Sequence, residues 1–203
     1  MKSYTPLNIA VRVIGYSLLF FGIAEAIRFD AVHPMEDGYF GEISLTEIFQ
    51  ELFLLSLVVF YFLVGTRHKP VQPVANLVAA FLLIAFIREL SFIIAWWFWP
   101  ALTVLILAIW LMWRDFGKLK SATHEFFAQP ASVWFFAGFL VTFIFSRLFG
   151  RSKFWLELYD ENSYRLAKAA TEEGLELLGD TLMLISAFEF YLVFWKRKKS
   201  GRK

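Results

Sequence analysis

Cysteine is absent from the 203 residues, which excludes disulfides, thiol catalysis and cysteine-ligated iron–sulfur centres. Histidine is scarce. His33, His68 and His124 all fall between the apolar runs, so no run offers an imidazole to haem and no His-rich zinc site exists. The last apolar run lacks lysine, which argues against a retinal Schiff base there. No G-x-S-x-G, H-E-x-x-H, Walker A or dinucleotide-binding pattern occurs. A serine hydrolase would have no buried histidine as base. Gly-x-x-x-Gly is missing from the apolar runs, so that dimer motif is not available.

Apolar side chains are what the chain has in excess. It is 59% hydrophobic and 20% aromatic, with 25 Phe and 8 Trp. Soluble domains average about 45–50% apolar, so this is more than one water-soluble core of this size can hold. The composition predicts an all-α polytopic integral membrane bundle with the lipid bilayer as its principal partner.

The formal net charge of +2 hides a strong asymmetry. The tail 196–203 holds Lys196, Arg197, Lys198, Lys199, Arg202 and Lys203 and no acid, whereas Phe29 to Ser44 holds Asp30, Glu36, Asp37 and Glu42 and no Lys or Arg. Because the basic tail directly follows an apolar run, it reads as a cytoplasmic anchor rather than a nucleic-acid contact.

A membrane helix needs about 20 mostly apolar residues. Six segments meet or approach this: Leu7–Arg28, Leu45–Gly65, Val74–Ala95, Phe98–Trp113, Ala131–Phe149 and Gly174–Trp195. Residues 74–113 are too long for one crossing and must turn back, either at Trp96-Trp97, with Pro100 in the next first turn, or at Arg88–Ser91. The expectation is a single bundle over 1–195, with an extracytoplasmic amphipathic segment at 150–173. Asp160 to Ser163 reads as a break and a helix start, after which nothing stops a helix before the tail.

Six spans with both termini cytoplasmic put Lys2, Arg67, Lys69, Arg114, Lys118, Lys120 and the tail cations inside, against Asp115 and Glu125. Arg151, Lys153, Arg165 and Lys168 lie outside with most of the loop acids, so the positive-inside rule is obeyed. Trp110, Trp113, Trp134 and Trp195 mark the inner boundary, and Trp96, Trp97, Trp99 and Trp155 the outer one. Met1–Ala26 also has the form of a secretory signal, with Ala24-Glu25-Ala26 as its cleavage pattern. Cleavage would leave five spans. The short loops suit a bacterial inner membrane.

An ionisable residue inside a span costs about 2.5–3.5 kcal/mol at mid-bilayer on insertion scales. Such residues therefore face the protein interior and find partners. Glu47, Glu51, Arg88, Glu89, Arg147, Glu173, Glu176 and Asp180 all fall towards the outer ends of their spans. Arg12 and Glu189 lie towards the inner half and are read as a structural pair. Glu173, Glu176 and Asp180 share one helix face within about 60°. With Arg88 and Arg147 opposing six carboxyls, burial favours protonation, cation binding or opening to water.

Structural roles compete with functional ones. Ser44-Leu45-Thr46-Glu47 fits a capping box. Glu172 and Glu173 could be first-turn acids that complement the helix dipole. Arg147 could reach the head groups beside Arg151, and Arg88–Glu89 could pair with Glu51 or Asp180. The leading expectation is an outward-facing intramembrane carboxylate/arginine site that binds a cation, proton or small polar ligand, in a small transporter, channel or sensor subunit. Glu51, Glu176 and Asp180 would be its acidic ligands, and the candidate ligands of any Ca²⁺, Mg²⁺ or Mn²⁺. Lys153, Tyr164 and Lys168 would line its entrance. Two alternatives stand beside it. One is an enzyme acting on a lipid or lipid-linked substrate in the outer leaflet; the other is a non-catalytic subunit or assembly factor. A homo-oligomer or another membrane subunit would be the partner.

Overall fold

The computed structural model describes residues 6–34, 40–41, 43–161 and 163–200, the stretch 194–200 by its backbone alone. Lys2, Glu36, Asp37, Glu42, Asn162, the end of the tail from Gly201 and the side chain of Trp195 lie outside the described residues, and with them the expectations placed on them.

The described chain is all helical. Its helices are α1 (Pro6–Val32), α2 (Leu45–Arg67), α3 (Gln72–Glu89), α4 (Phe98–Arg114), α5 (Phe116–Phe127), α6 (Ala131–Leu140), α7 (Ser146–Phe149), α8 (Ser152–Leu156) and α9 (Tyr164–Ser200). A π-helical turn, Val141–Phe145, joins α6 to α7, so Ala131–Phe149 forms one rod. Proline marks several starts: Pro6, Pro73, Pro100 and Pro130 lie at or just before the first turn, where the missing N–H costs no hydrogen bond.

Among the described residues four helices are long and apolar enough to cross a membrane: Pro6–Val32, Leu45–Arg67, Lys69–Phe92 and Ala131–Phe149. A fifth arises if α4 and α5, bent by 96°, count as one. Two segments differ from the sequence reading. The third run ends at Glu89 and continues only as a 3-10 turn, Leu90–Phe92, so Ala95 is not part of it. The turn before α4 spans residues 93–97 and so falls at the Trp96-Trp97 place, while Arg88–Ser91 stays helical. Residues 114–130 are mostly helix rather than loop, because Ala122 and Phe126 bury one face of α5. The sixth helix begins at Tyr164, where the break at Asp160 to Ser163 puts its start, ten residues ahead of the apolar run from Gly174; the Asp160 carboxylate accepts hydrogen bonds from the Ser163 amide (2.9 Å) and hydroxyl (2.8 Å) there.

The chain divides into two compact units, residues 1–48 with 140–181 and residues 49–139 with 182–203. In the second unit the core is aromatic. The buried Tyr61 ring packs against Phe126, Phe135 and Phe190, with ring centroids 5.3 to 6.4 Å apart. The Ser186 hydroxyl donates to the Ala131 carbonyl at 2.7 Å and ties α9 to α6. Gly65 permits a close approach of α3, since a Cβ there would lie 2.2 Å from the Asn76 Oδ1.

In the first unit α1 contributes only Ile23, Ala26 and Asp30 to the buried interior. It runs unbroken through Ala24-Glu25-Ala26, with Ala26 buried. Asp30 reaches over the start of α2. Its carboxylate accepts from the Leu45 amide (3.0 Å), the Thr46 amide (2.7 Å) and the Thr46 hydroxyl. The side chain that satisfies this helix start thus comes from fifteen residues upstream. Ser44 supplies the local half of the expected capping box by accepting from the Glu47 amide at 3.2 Å.

Candidate functional site

The polar side chains of the first unit converge where the π-helical turn meets α9. On α9, Lys168, Glu172, Glu176 and Asp180 succeed one another at four-residue spacing, a ladder about 18 Å long at 1.5 Å per residue. The ladder starts half-exposed and ends buried: Glu176 is 7% exposed and Asp180 1%. Facing it, the π turn and α7 present Thr142, Ser146 and Arg147. A π turn adds a residue to the helical register, a local feature often found at functional positions. Here it aims Thr142 and Ser146 at the same helix as Arg147.

The contacts alternate charge and hydroxyl. Lys168 donates to Glu172 at 3.0 Å. Arg147 donates to Glu172 at 3.4 Å and, through its other terminal nitrogen, to Glu176. Ser146, fully buried, shares its hydroxyl between Glu176 Oε1 (3.1 Å) and the Thr142 carbonyl (2.6 Å). Thr142 in turn lies 3.1 Å from Asp180 Oδ1 and 3.3 Å from the Glu176 carbonyl. Gly150, just past α7, makes room for the ladder, since a Cβ there would sit 2.4 Å from a Glu172 carboxylate oxygen. Gly174 lies against Ile27, which brings α1 to the same stretch of α9.

Of the residues expected from the sequence, the structure gathers Arg147, Glu176, Asp180 and Lys168 into this network. Glu173 is half-buried on α9, one position off the ladder. Glu172 takes the place expected for it. Reading Glu172 and Glu173 as first-turn acids is overturned, because α9 starts at Tyr164 and both lie two turns inside it. Arg147 is committed to Glu172 and Glu176 rather than standing with Arg151 at the surface. Glu51, Arg88 and Glu89 belong to the other unit, where Arg88 pairs with its neighbour Glu89. Glu47 sits half-buried in the first turn of α2. Arg12 is on α1 in the first unit and Glu189 on α9 in the second. Among the described residues no group of three or more His, Asp or Glu is placed to hold a metal ion.

Two residues expected at an entrance, Tyr164 and Lys153, lie at or near the start of α9. Tyr164 helps line an open groove of about 450 Å³ with Leu156, Glu161 and Arg165. The Ser152 hydroxyl and the Arg165 guanidinium beside it hold its phenol below the usual tyrosine range. Lys153 is exposed on α8.

Sequence reasoning missed Thr142, Ser146, Glu172 and Asp30. The strict four-residue spacing of Lys168, Glu172, Glu176 and Asp180 was a readable signal for the third of these, and the same spacing of Thr142 and Ser146 beside Arg147 for the first two. Nothing local marked Asp30. The chain matches no family model, no curated protein and no solved structure.

Proposed function

We propose that the chain is a six-span membrane protein with both termini in the cytoplasm, whose first unit holds a proton- or small-cation-binding site near the extracytoplasmic side. The count is built from the four long apolar helices, α4 of the bent pair, and the Gly174–Trp195 part of α9. At 1.5 Å per residue α9 reaches about 55 Å, against a hydrocarbon core of about 30 Å, so its first turns stand outside the membrane. The distribution of Lys and Arg among the connections supports the orientation.

The observation that carries the functional reading is the burial of acids on one face of α9 against the hydroxyls of the π turn. Three carboxylates, Glu172, Glu176 and Asp180, share the network with two cations, Arg147 and Lys168, and the carboxylate furthest along the ladder is the most buried. Burying carboxylates at this depth favours the uptake of a proton or a cation. A small transporter, channel or sensor subunit uses such a site. The hydroxyls of Thr142 and Ser146 supply neutral oxygen donors beside the acids, as a monovalent cation or a proton relay requires.

A test is proton and monovalent-cation flux in proteoliposomes. Asp180→Asn and Glu176→Gln lower it while helix content is retained, and Glu89→Gln in the other unit leaves it unchanged. Flux that all three variants leave untouched refutes the reading. The closed pairs of Arg147 and Lys168 with their acids favour a second reading, a non-catalytic subunit whose charges hold the bundle together. In that case the same substitutions lower stability or complex yield without removing any transport.

A further inference from the structure

Helix α5 is where the structure departs most from a simple run of spans. It leaves α4 at 96° and packs against α3 and the short turn Lys69–Val71, all within the second unit. Its buried arc is Ala122 and Phe126, with Leu119 half-buried beside them. At 100° per residue Phe116 and Phe127 lie together on one flank of that arc and are exposed, with the exposed Lys120 about 20–40° from them, while Gly117, Ser121 and Lys118 turn away from that flank.

Length and charge decide which of the two bent helices crosses. The 17 residues of α4 reach about 26 Å, close to the thickness of the hydrocarbon core. α5 carries Lys118, Lys120, His124 and Glu125 within a few turns, and hydrocarbon does not accept that many charges. The bend itself is marked by interfacial groups. Trp113 is 81% exposed, and the Arg114 guanidinium lies 4.9 Å from the centroid of the Trp110 ring.

Cations collect at this end of the unit. Arg67 closes α2 and Lys69 opens the short turn that α5 packs on, and both are exposed, as are Arg114, Lys118 and Lys120. The opposing acids are Asp115 and Glu125. Asp115 is already paired with Arg114 at 2.7 Å and with Lys118 at 3.9 Å. We propose that α5 lies in the plane of the cytoplasmic membrane surface, with Phe116 and Phe127 in the acyl boundary, and that Arg67, Lys69 and Lys120 beside it bind the head groups of anionic phospholipids. An exposed aromatic flank next to a basic one is the pattern of an interfacial helix, and the net positive charge complements an anionic leaflet. This rests on the membrane reading above and adds a lipid class and a binding surface to it.

The absence of cysteine makes the test clean, because Ile106→Cys, Phe116→Cys and Ser121→Cys each carry a spin label at one place. In nanodiscs of phosphatidylcholine and phosphatidylglycerol, accessibility to oxygen and to a water-soluble nickel chelate is compared. The labels at Ile106, exposed on α4, and at Phe116 are oxygen-accessible, and the label at Ser121 is chelate-accessible. If Ile106 is also in water, the membrane reading itself has failed. If Ile106 is in lipid and Phe116 is as wet as Ser121, the proposal for α5 is overturned, and the basic face is left to a soluble acidic partner. Retention of phosphatidylglycerol over phosphatidylcholine then falls about fivefold for Lys120→Gln. Equal retention of the two lipids by the unsubstituted protein overturns the lipid assignment.

Discussion

Replacing Arg147 by Gln tests the central contact of the polar network. The substitution removes the guanidinium that donates to both Glu172 and Glu176. Glu172 keeps Lys168 at 3.0 Å, so most of the cost falls on Glu176, whose side chain is 9% exposed. Removing one partner of a fully buried pair costs about 3–5 kcal/mol, and removing an exposed one costs about 0–1. The Arg147 side chain is 41% exposed, which places this pair between the two limits. Ser146 stays within 3.1 Å of Glu176 and offsets part of the loss. The expected destabilisation is about 2 kcal/mol, intermediate between the buried and exposed cases. Glu176→Gln removes the orphaned charge, so the double variant recovers part of it, with a coupling of about 1–2 kcal/mol in the double-mutant cycle. Unfolding in mixed micelles of increasing dodecyl sulfate, followed by circular dichroism, measures all four species. A coupling below about 0.3 kcal/mol, the usual scatter for independent sites, refutes the pairing. Arg88→Gln is the comparison: its partner Glu89 is an adjacent, part-exposed residue, and the expected loss is about 0–1 kcal/mol.

Asp30→Ala removes every acceptor that Asp30 offers the start of α2, and thermal unfolding should show a loss of about 1–2 kcal/mol, at the upper end for a helix cap because the site is buried. An unchanged melting temperature would mean that Ser44 suffices. Gly150→Ala brings a methyl group onto the Glu172 carboxylate and pushes it off Lys168 and Arg147. Its cost should match that of Glu172→Gln, and the two together should cost no more than either alone, whereas simple additivity would show that the carboxylate was not displaced. Tyr61→Phe deletes a buried hydroxyl that lies near Ser186 but makes no hydrogen bond of good geometry among the described residues. The variant should be neutral or more stable by up to about 1 kcal/mol, since an unsatisfied buried polar group is a cost that the deletion removes. A loss above that size would reveal a partner.

Helix class and the apolar segments were legible because hydrocarbon imposes one requirement on every span: a long run of side chains without charge. The start of α9 was legible as well: Asp160 to Ser163 is a turn signal, and Asp160 accepts from Ser163 just ahead of Tyr164. α5, by contrast, was hidden. Its apolar residues are few, and only the packing of Ala122 and Phe126 against α3 and the turn before it makes a helix of a segment that reads as a basic loop.

The site was half legible, and the missing half shows where single-helix arithmetic stops. Counting charge by depth found Arg147, Glu176 and Asp180, because charge in a span is rare enough to be conspicuous. It also chose Glu173 over Glu172, since both lie on the same side of α9 and only a partner on another helix separates them. Arg147 supplies that partner, and Gly150 leaves the space that lets Glu172 reach it. Thr142 and Ser146 went unnoticed for a related reason. A hydroxyl can satisfy itself on its own helix, as Ser146 does in part on the Thr142 carbonyl, so it carries no penalty that would mark it in a sequence. The π turn between them is what commits both hydroxyls to α9, and an inserted helical residue leaves no trace in a hydrophobic profile. Charge therefore announces the site, while the neutral groups that would decide between a proton and a cation become visible only when two helices are placed side by side.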